Sequence, residues 1–178
     1  MKLAGIDYGI TSPAITIFEG EKKDFSFKQC TFHSLSDHKI TNTSKFKFYL
    51  HEKWDCEQQR YDNISMWAMS LVDTCDFVAI EGYSMASKGK VFNLAENCGV
   101  LKHVLWMLGI PMEIVPPTRV KKVAGKGNAT KDTMYDYWLK ETGYNLKDKF
   151  QPTRKLGSPT TDIVDSYYIC KYLVTETI

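Results

Sequence analysis

The chain has no run of about eighteen apolar residues, the length a helix needs to cross a bilayer, so no membrane span is expected. No signal-peptide pattern is expected either, because Asp7 interrupts the short apolar stretch that follows Lys2. Paired cysteine spacing is missing. The five cysteines (Cys30, Cys56, Cys75, Cys98 and Cys170) are odd in number and irregularly placed. That excludes a disulfide-stapled scaffold and points to free thiols in a reducing, cytoplasmic setting. Cys30, His33, His38 and Cys56 match no standard zinc spacing. There is little excess charge, +2 in all, so bulk charge does not by itself indicate a polyanionic partner. Repeats and low-complexity tracts are absent. What remains is a chain of 178 residues with ordinary globular composition, long enough for one domain over 1–178 with its own core.

Residues 2–8 read as a strand apolar on both faces, as at the centre of a sheet. Residues 13–18 read as a second strand, and 24–32, with alternating Phe25 and Phe27, as a third, giving an antiparallel meander. Residues 33–55 are polar and basic with scattered aromatics (Phe46, Phe48, Tyr49, Trp54), and read as an irregular insertion with one short strand. A helix over 57–72, a buried strand over 77–81, a long helix over 91–108 and a short strand over 112–115 follow. Gly109 and Pro111 stop the long helix. Thr118 is placed to cap a short basic helix, and Thr130 a helix through 141. Residues 143–158 read as a polar loop, and Thr160 or Thr161 opens the last helix. Trp67, Trp106, Trp138, Cys98 and Cys170 fall at apolar helical positions and are expected in the core. A meander followed by alternating helices and strands indicates an α/β fold, a mixed sheet covered by helices.

Four carboxylates stand out. Asp7 interrupts an apolar strand, Glu81 closes another, and Asp162 and Asp165 lie three apart on one face of the last helix. Each has a structural reading alone: a turn residue before Gly9, a strand end, and acids offsetting a helix dipole. Together, ordered strand, strand, helix, they suggest an oxygen-only site for Mg²⁺ or Mn²⁺. Two such ions roughly 4 Å apart would suit in-line hydrolysis of a phosphodiester.

The cations are concentrated elsewhere. From Arg119 to Lys131 there are five (Arg119, Lys121, Lys122, Lys126 and Lys131) and no acid. Gly125, Gly127 and the helix start at Thr130 favour an anion there, although a solvated basic face has the same composition. Lys88 and Lys90 add charge after Glu81, and Tyr83 is placed either to stack on an unpaired base or to edge the core.

The segments Gly5-Ile6-Asp7-Tyr8-Gly9, Ala79-Ile80-Glu81, Pro117-Thr118-Arg119-Val120-Lys121-Lys122, Gly125-Lys126-Gly127-Asn128-Ala129-Thr130-Lys131 and Asp162-Ile163-Val164-Asp165-Ser166 resemble those of the RuvC Holliday-junction resolvases, most closely phage-type members. The resemblance implies an RNase H-like fold with a mixed five-stranded sheet flanked by helices. It implies a homodimer that cuts four-way junctions, and other branches such as forks, by paired nicks leaving 5′ phosphates. It further implies two Mg²⁺ ions per site, replaceable by Mn²⁺, held by Asp7, Glu81, Asp162 and Asp165, with Lys131 beside the scissile phosphate. Tyr83, Lys88, Lys90, Arg119, Lys121, Lys122, Lys126 and Lys131 would face the DNA. A phage-encoded member would act in the host cytoplasm. Two departures are visible: residues 33–55 are longer than the family pattern, and Ser84 stands where an aromatic wedge is common, with Tyr83 adjacent.

Other readings share parts of this pattern. A YqgF-like or RNase H-like ribonuclease has the same opening motif and fold. A branched-DNA-binding protein without catalysis is a non-enzyme alternative, disfavoured because all four acids are present. A sugar-kinase-like ATPase needs a second lobe that this length does not supply.

Overall fold

The structure, a computed structural model, describes residues 1–82 and 91–177. Tyr83, Ser84, Lys88 and Lys90 lie outside the described residues. A six-stranded sheet with the order β4-β3-β2-β1-β5-β6 forms the centre. Strands β1 (Lys2–Asp7), β2 (Ala14–Glu19) and β3 (Cys30–Ser36) make the antiparallel meander. Strand β4 (Phe46–Leu50) adds to β3 in parallel. Beyond β1, strands β5 (Phe77–Glu81) and β6 (Met112–Val115) run parallel to it. Helix α1 (Glu57–Val72) leads into β5, and α2 (Val91–Met107) links β5 to β6. Helices α3 (Pro117–Ala124), α4 (Lys131–Thr142), α5 (Leu146–Phe150) and α6 (Thr160–Tyr172) follow, with a π-helical turn at Leu173–Thr177. Among the described residues no helix is long and apolar enough to cross a membrane.

The expected α/β mixed sheet is present, with six strands rather than five. The sixth is β4, which falls where one short strand was expected within residues 33–55. The third strand is Cys30–Ser36, not 24–32: it runs four residues into the segment read as irregular, and it starts late because Phe25 and Phe27 sit in and beside two 3₁₀ turns and pack by ring contact instead. Phe25 lies 5.1 Å from Phe18 and 5.3 Å from Tyr167, and Phe27 lies 5.4 Å from Trp138. Helix α3 starts at Pro117, so Thr118 is inside it and not its cap. The polar stretch after Gly143 contains α5, capped by the Asn145 side chain, which accepts from the Asp148 amide at 3.0 Å. Trp138 is fully buried as expected, whereas Trp106 is 70% exposed and Trp67 only partly covered. Cys98 and Cys170 are both buried, and Cys170 is in the core beside β1.

The sheet buries both faces. On one, Leu3, Phe18 and Phe32 meet Trp138 of α4 and Tyr167 and Tyr168 of α6. On the other, Ile6, Ile15 and Ile80 meet Ile64 and Val72 of α1 and Leu101 and Leu105 of α2. Each such side chain contributes roughly 1.5–3 kcal/mol by leaving water.

Helix α6 crosses β1 in direct backbone contact. A Cβ on Gly5 would stand 2.2 Å from the Cys170 nitrogen and 2.5 Å from the Ser166 oxygen. Only glycine allows that approach, which is the meaning of a glycine inside this otherwise apolar strand. Thr16, paired with Gly5 across the strands, fixes the crossing through a buried Thr16 Oγ1–Ser166 Oγ hydrogen bond of 2.8 Å.

Candidate active site

Side chains alternate along a strand, so Leu3, Gly5 and Asp7 share the α6 face of β1, and Phe77, Ala79 and Glu81 share it on β5. The parallel register pairs Ile6 with Ile80, which brings Asp7 and Glu81 to the ends of neighbouring strands. Because α6 crosses at Gly5 through Ser166 and Cys170, its earlier residues Asp162 and Asp165 lie over the same strand ends. The four carboxylates line one cleft of about 430 Å³, together with Lys121 and Lys131 and walled by Tyr8, Leu94 and Cys98.

Their charges oppose one another. Burial pushes the Asp7 carboxyl well above the ordinary carboxylate range, and Asp162, Asp165 and Glu81 push it further, against the pull of Lys131. Burial, aided by Asp165, raises Glu81 from 4.5 to about 7, while Lys121 and Lys131 hold it down. Burial, aided by Asp162, raises Asp165 from 3.8 to about 6 against Lys131 and Lys121. Asp162 is itself 93% covered (7% exposed), and its Oδ2 is buried with no hydrogen-bond partner.

Lys131 is the first residue of α4, whose start is fixed by Thr130 Oγ1 accepting from the Thr133 amide at 3.2 Å. Its Nζ lies 3.8 Å from Asp162 Oδ1 and donates to Thr161 Oγ1 at 3.4 Å. Thr161 Oγ1 in turn donates to Asp162 Oδ1 at 3.3 Å. The far end of α4 is tied to α6 as well: Glu141 accepts from Tyr167 OH at 2.8 Å and from Lys171 Nζ at 2.7 Å. The lysine is therefore carried on a helix clamped at both ends, while its own ammonium stays accessible.

An oxygen-only donor set, mutual repulsion and an orphaned Asp162 Oδ2 are what a hard divalent cation would satisfy. The residues fit such an ion. Among the described residues no three His, Cys, Asp or Glu side chains close around one point as a finished cage, so the acids stand as cleft walls. The Cys30, His33, His38 and Cys56 grouping forms no such cage either.

The basic run does not act as one surface. Lys121 faces the acids, whereas Arg119 and Lys122 line a separate cavity of about 550 Å³ with Thr118 and Tyr172. Consecutive helical residues point about 100° apart, so α3 must divide its cations between two sides. Lys126 is exposed between α3 and α4. Sequence reasoning assigned Lys121 to the basic surface and missed its place among the acids. It also missed Gly5, Thr16 and Ser166, which set the height of α6; of these only the glycine carried a readable signal.

No protein-family model matches the chain, and no curated protein matches it in sequence. Solved structures do match. RuvC of Thermus thermophilus aligns with a TM-score of 0.59 at 17% identity, over 97% of this chain and 95% of that one. The same protein in complex with a Holliday junction substrate aligns at 0.59 and 16% identity, over 95% and 92%. The fowlpox virus Holliday junction resolvase aligns at 0.51 and 14% identity, over 98% of both. At near-full coverage of both chains, the protein shares its α/β fold with RuvC and with the fowlpox virus protein.

Proposed function

We propose that this protein is a metal-dependent endonuclease that resolves four-way DNA junctions and other branched DNA through paired nicks. The observation that carries the reading is the convergence of Asp7, Glu81, Asp162 and Asp165 with Lys121 and Lys131 on one cleft. The fold it shares with RuvC, including RuvC held on a Holliday junction substrate, supports the substrate class. The nuclease domain spans 1–178, and its free cysteines suit an intracellular site of action.

Asp7, Glu81, Asp162 and Asp165 would hold two Mg²⁺ ions, or Mn²⁺ in their place, which supply water activation and charge neutralisation at the phosphate. Lys131, on its clamped helix, orients Asp162 and meets the scissile phosphate. Lys121 balances Glu81 and Asp165 within the same cleft. The rigid crossing of α6 over Gly5 keeps the acids in register without help from the substrate. Cleavage leaves a 5′ phosphate. Arg119, Lys122 and Lys126 reach DNA outside the cleft.

A homodimer places two such clefts on one junction. Its support is α2, which exposes Phe92 (82%), Trp106 (70%) and Met107 (60%) on a helix otherwise used for packing.

The test is a panel of labelled four-way, forked, duplex and RNA–DNA substrates with and without Mg²⁺. Paired, Mg²⁺-dependent nicks on the branched substrates are expected. Binding without cutting in Mg²⁺ or Mn²⁺ makes the protein a junction-binding module, and equal activity on the hybrid makes it a ribonuclease.

A further inference from the structure

Trp54 packs into neither hydrophobic core. The residue is 36% exposed. Yet the segment that carries it is held firmly. The Asp55 amide donates to Gln59 Oε1 at 2.7 Å, and Asn63 Nδ2 donates to the Lys53 carbonyl at 3.2 Å. Both partners are on α1, so the backbone on either side of Trp54 is anchored to one helix.

The ring itself is oriented by two further residues. The Arg60 guanidinium lies over one face, 4.5 Å from the ring centroid, and the His51 ring meets it edge-on at 6.0 Å. Arg60 Nη2 donates to the Ile10 carbonyl at 3.2 Å, and His51 Nε2 donates to the Thr11 carbonyl at 2.9 Å. Ile10 and Thr11 belong to the turn that leaves β1 just after Asp7. A cavity of about 290 Å³ lined by that turn also contains Asp7 and Asp162. The turn that lines this cavity therefore accepts hydrogen bonds from the two residues that grip the tryptophan. Ser12 Oγ and Arg60 Nε are both buried with no hydrogen-bond partner.

We propose that Trp54 is a stacking platform that receives an unpaired base of the nucleic-acid substrate on the flank of the acidic cleft. The inference rests on the nuclease reading and deepens it by naming a contact that selects unpaired nucleotides. With Arg60 over one face and the backbone tied down, the ring is preorganised, so little side-chain entropy is lost when a base stacks. Charge argues for a base and against a phosphate. Glu52, Asp55 and Glu57 outnumber Lys53 and Arg60 in this segment, which leaves it net negative. A polyanionic backbone gains nothing there, while stacking is insensitive to net charge.

The test measures affinity for a fork with a single-stranded arm, the same fork with that arm abasic, and a blunt duplex, with Ca²⁺ in place of Mg²⁺. Trp54→Ala is expected to lose roughly five- to a hundredfold in affinity for the arm that carries bases, the range of one base–aromatic stack. Trp54→Phe is expected to keep most of it. The abasic arm and the duplex should bind all three proteins alike, with an unchanged salt slope. Unaltered binding of the base-bearing arm by Trp54→Ala overturns the proposal. So does an equal loss with Trp54→Phe, or an equal loss on the abasic arm, since either outcome assigns the ring to packing or to backbone contact. The two readings part cleanly. A wild type that cuts junctions while Trp54→Ala binds normally refutes the platform alone, and a Trp54-dependent binder that cuts nothing refutes the nuclease alone.

Discussion

Replacing Glu81 by Gln should make the metal-free protein more stable, not less. Glu81 titrates at about 7 in the folded chain against an ordinary value of 4.5. Between those values the native state retains a proton that the unfolded chain has released, so stability falls as pH rises through this window. Above pH 7 the whole cost is present. At about 1.4 kcal/mol per pH unit it is on the order of 3 kcal/mol, less whatever the neighbouring acids share. For a chain of this length each kcal/mol moves the melting point by about 2–4 °C, so Glu81→Gln should melt several degrees higher at pH 8 in chelator. Near pH 4 the two proteins should converge, because both side chains are then neutral. Saturating Mg²⁺ should reverse the order of benefit, stabilising wild type more than the variant by mass action on the ionised cluster. Thermal unfolding at pH 4 and pH 8, with chelator and with Mg²⁺, supplies all four numbers. A Gln variant that melts at or below wild type at pH 8 without metal refutes the claim that repulsion and burial at Glu81 are stored in the fold.

Asp7→Asn should keep junction binding in gel-shift assays and lose cleavage; undiminished cutting removes Asp7 from the chemistry. Lys121→Ala should lower cleavage more than affinity, because Lys121 faces the acids, while Lys122→Ala should lower affinity and reduce the salt slope by about 0.9. The opposite pattern in titrations across salt would mean that α3 is turned differently towards DNA. Gly5→Ala should destabilise by several kcal/mol, since its methyl would stand 2.2 Å from α6 backbone that cannot move without dragging Asp162 and Asp165. Urea unfolding checks this, and a near-neutral result breaks the account of the crossing. Trp106→Glu should yield monomers in sedimentation experiments and abolish paired nicking while single nicks persist; an unchanged mass places the dimer contact elsewhere.

The acids were legible because each violates its surroundings: Asp7 and Glu81 end runs that are otherwise buried on both faces. The sheet interior was legible for the same reason, since β1 and β5 are apolar throughout and need no partner to be recognised. The edge was not. Phe25 and Phe27 mimic strand alternation while sitting at turns that direct both rings into one core, a contact pattern that only tertiary packing decides. One short strand was expected within 33–55, but its bounds were not legible, because the edge strand β4 keeps apolar residues on one face alone, here Phe46 and Phe48. Helix α3 was found, but the division of Lys121 from Lys122 depends on how the helix is rolled against α6, and no spacing rule supplies that angle. Trp106 has the periodicity of a core residue and is exposed, which one chain cannot reveal by itself.

The clasp between Thr16 and Ser166 joins residues 150 positions apart. The four-carboxylate cleft is thus a property of the finished architecture and of no fragment. A chain folded only through β6 has two of the four acids, none of α6 and neither cleft lysine. Under the proposed function, loosening of α6 would part Asp162 and Asp165 from Asp7 and Glu81, and cleavage should fail before the chain melts.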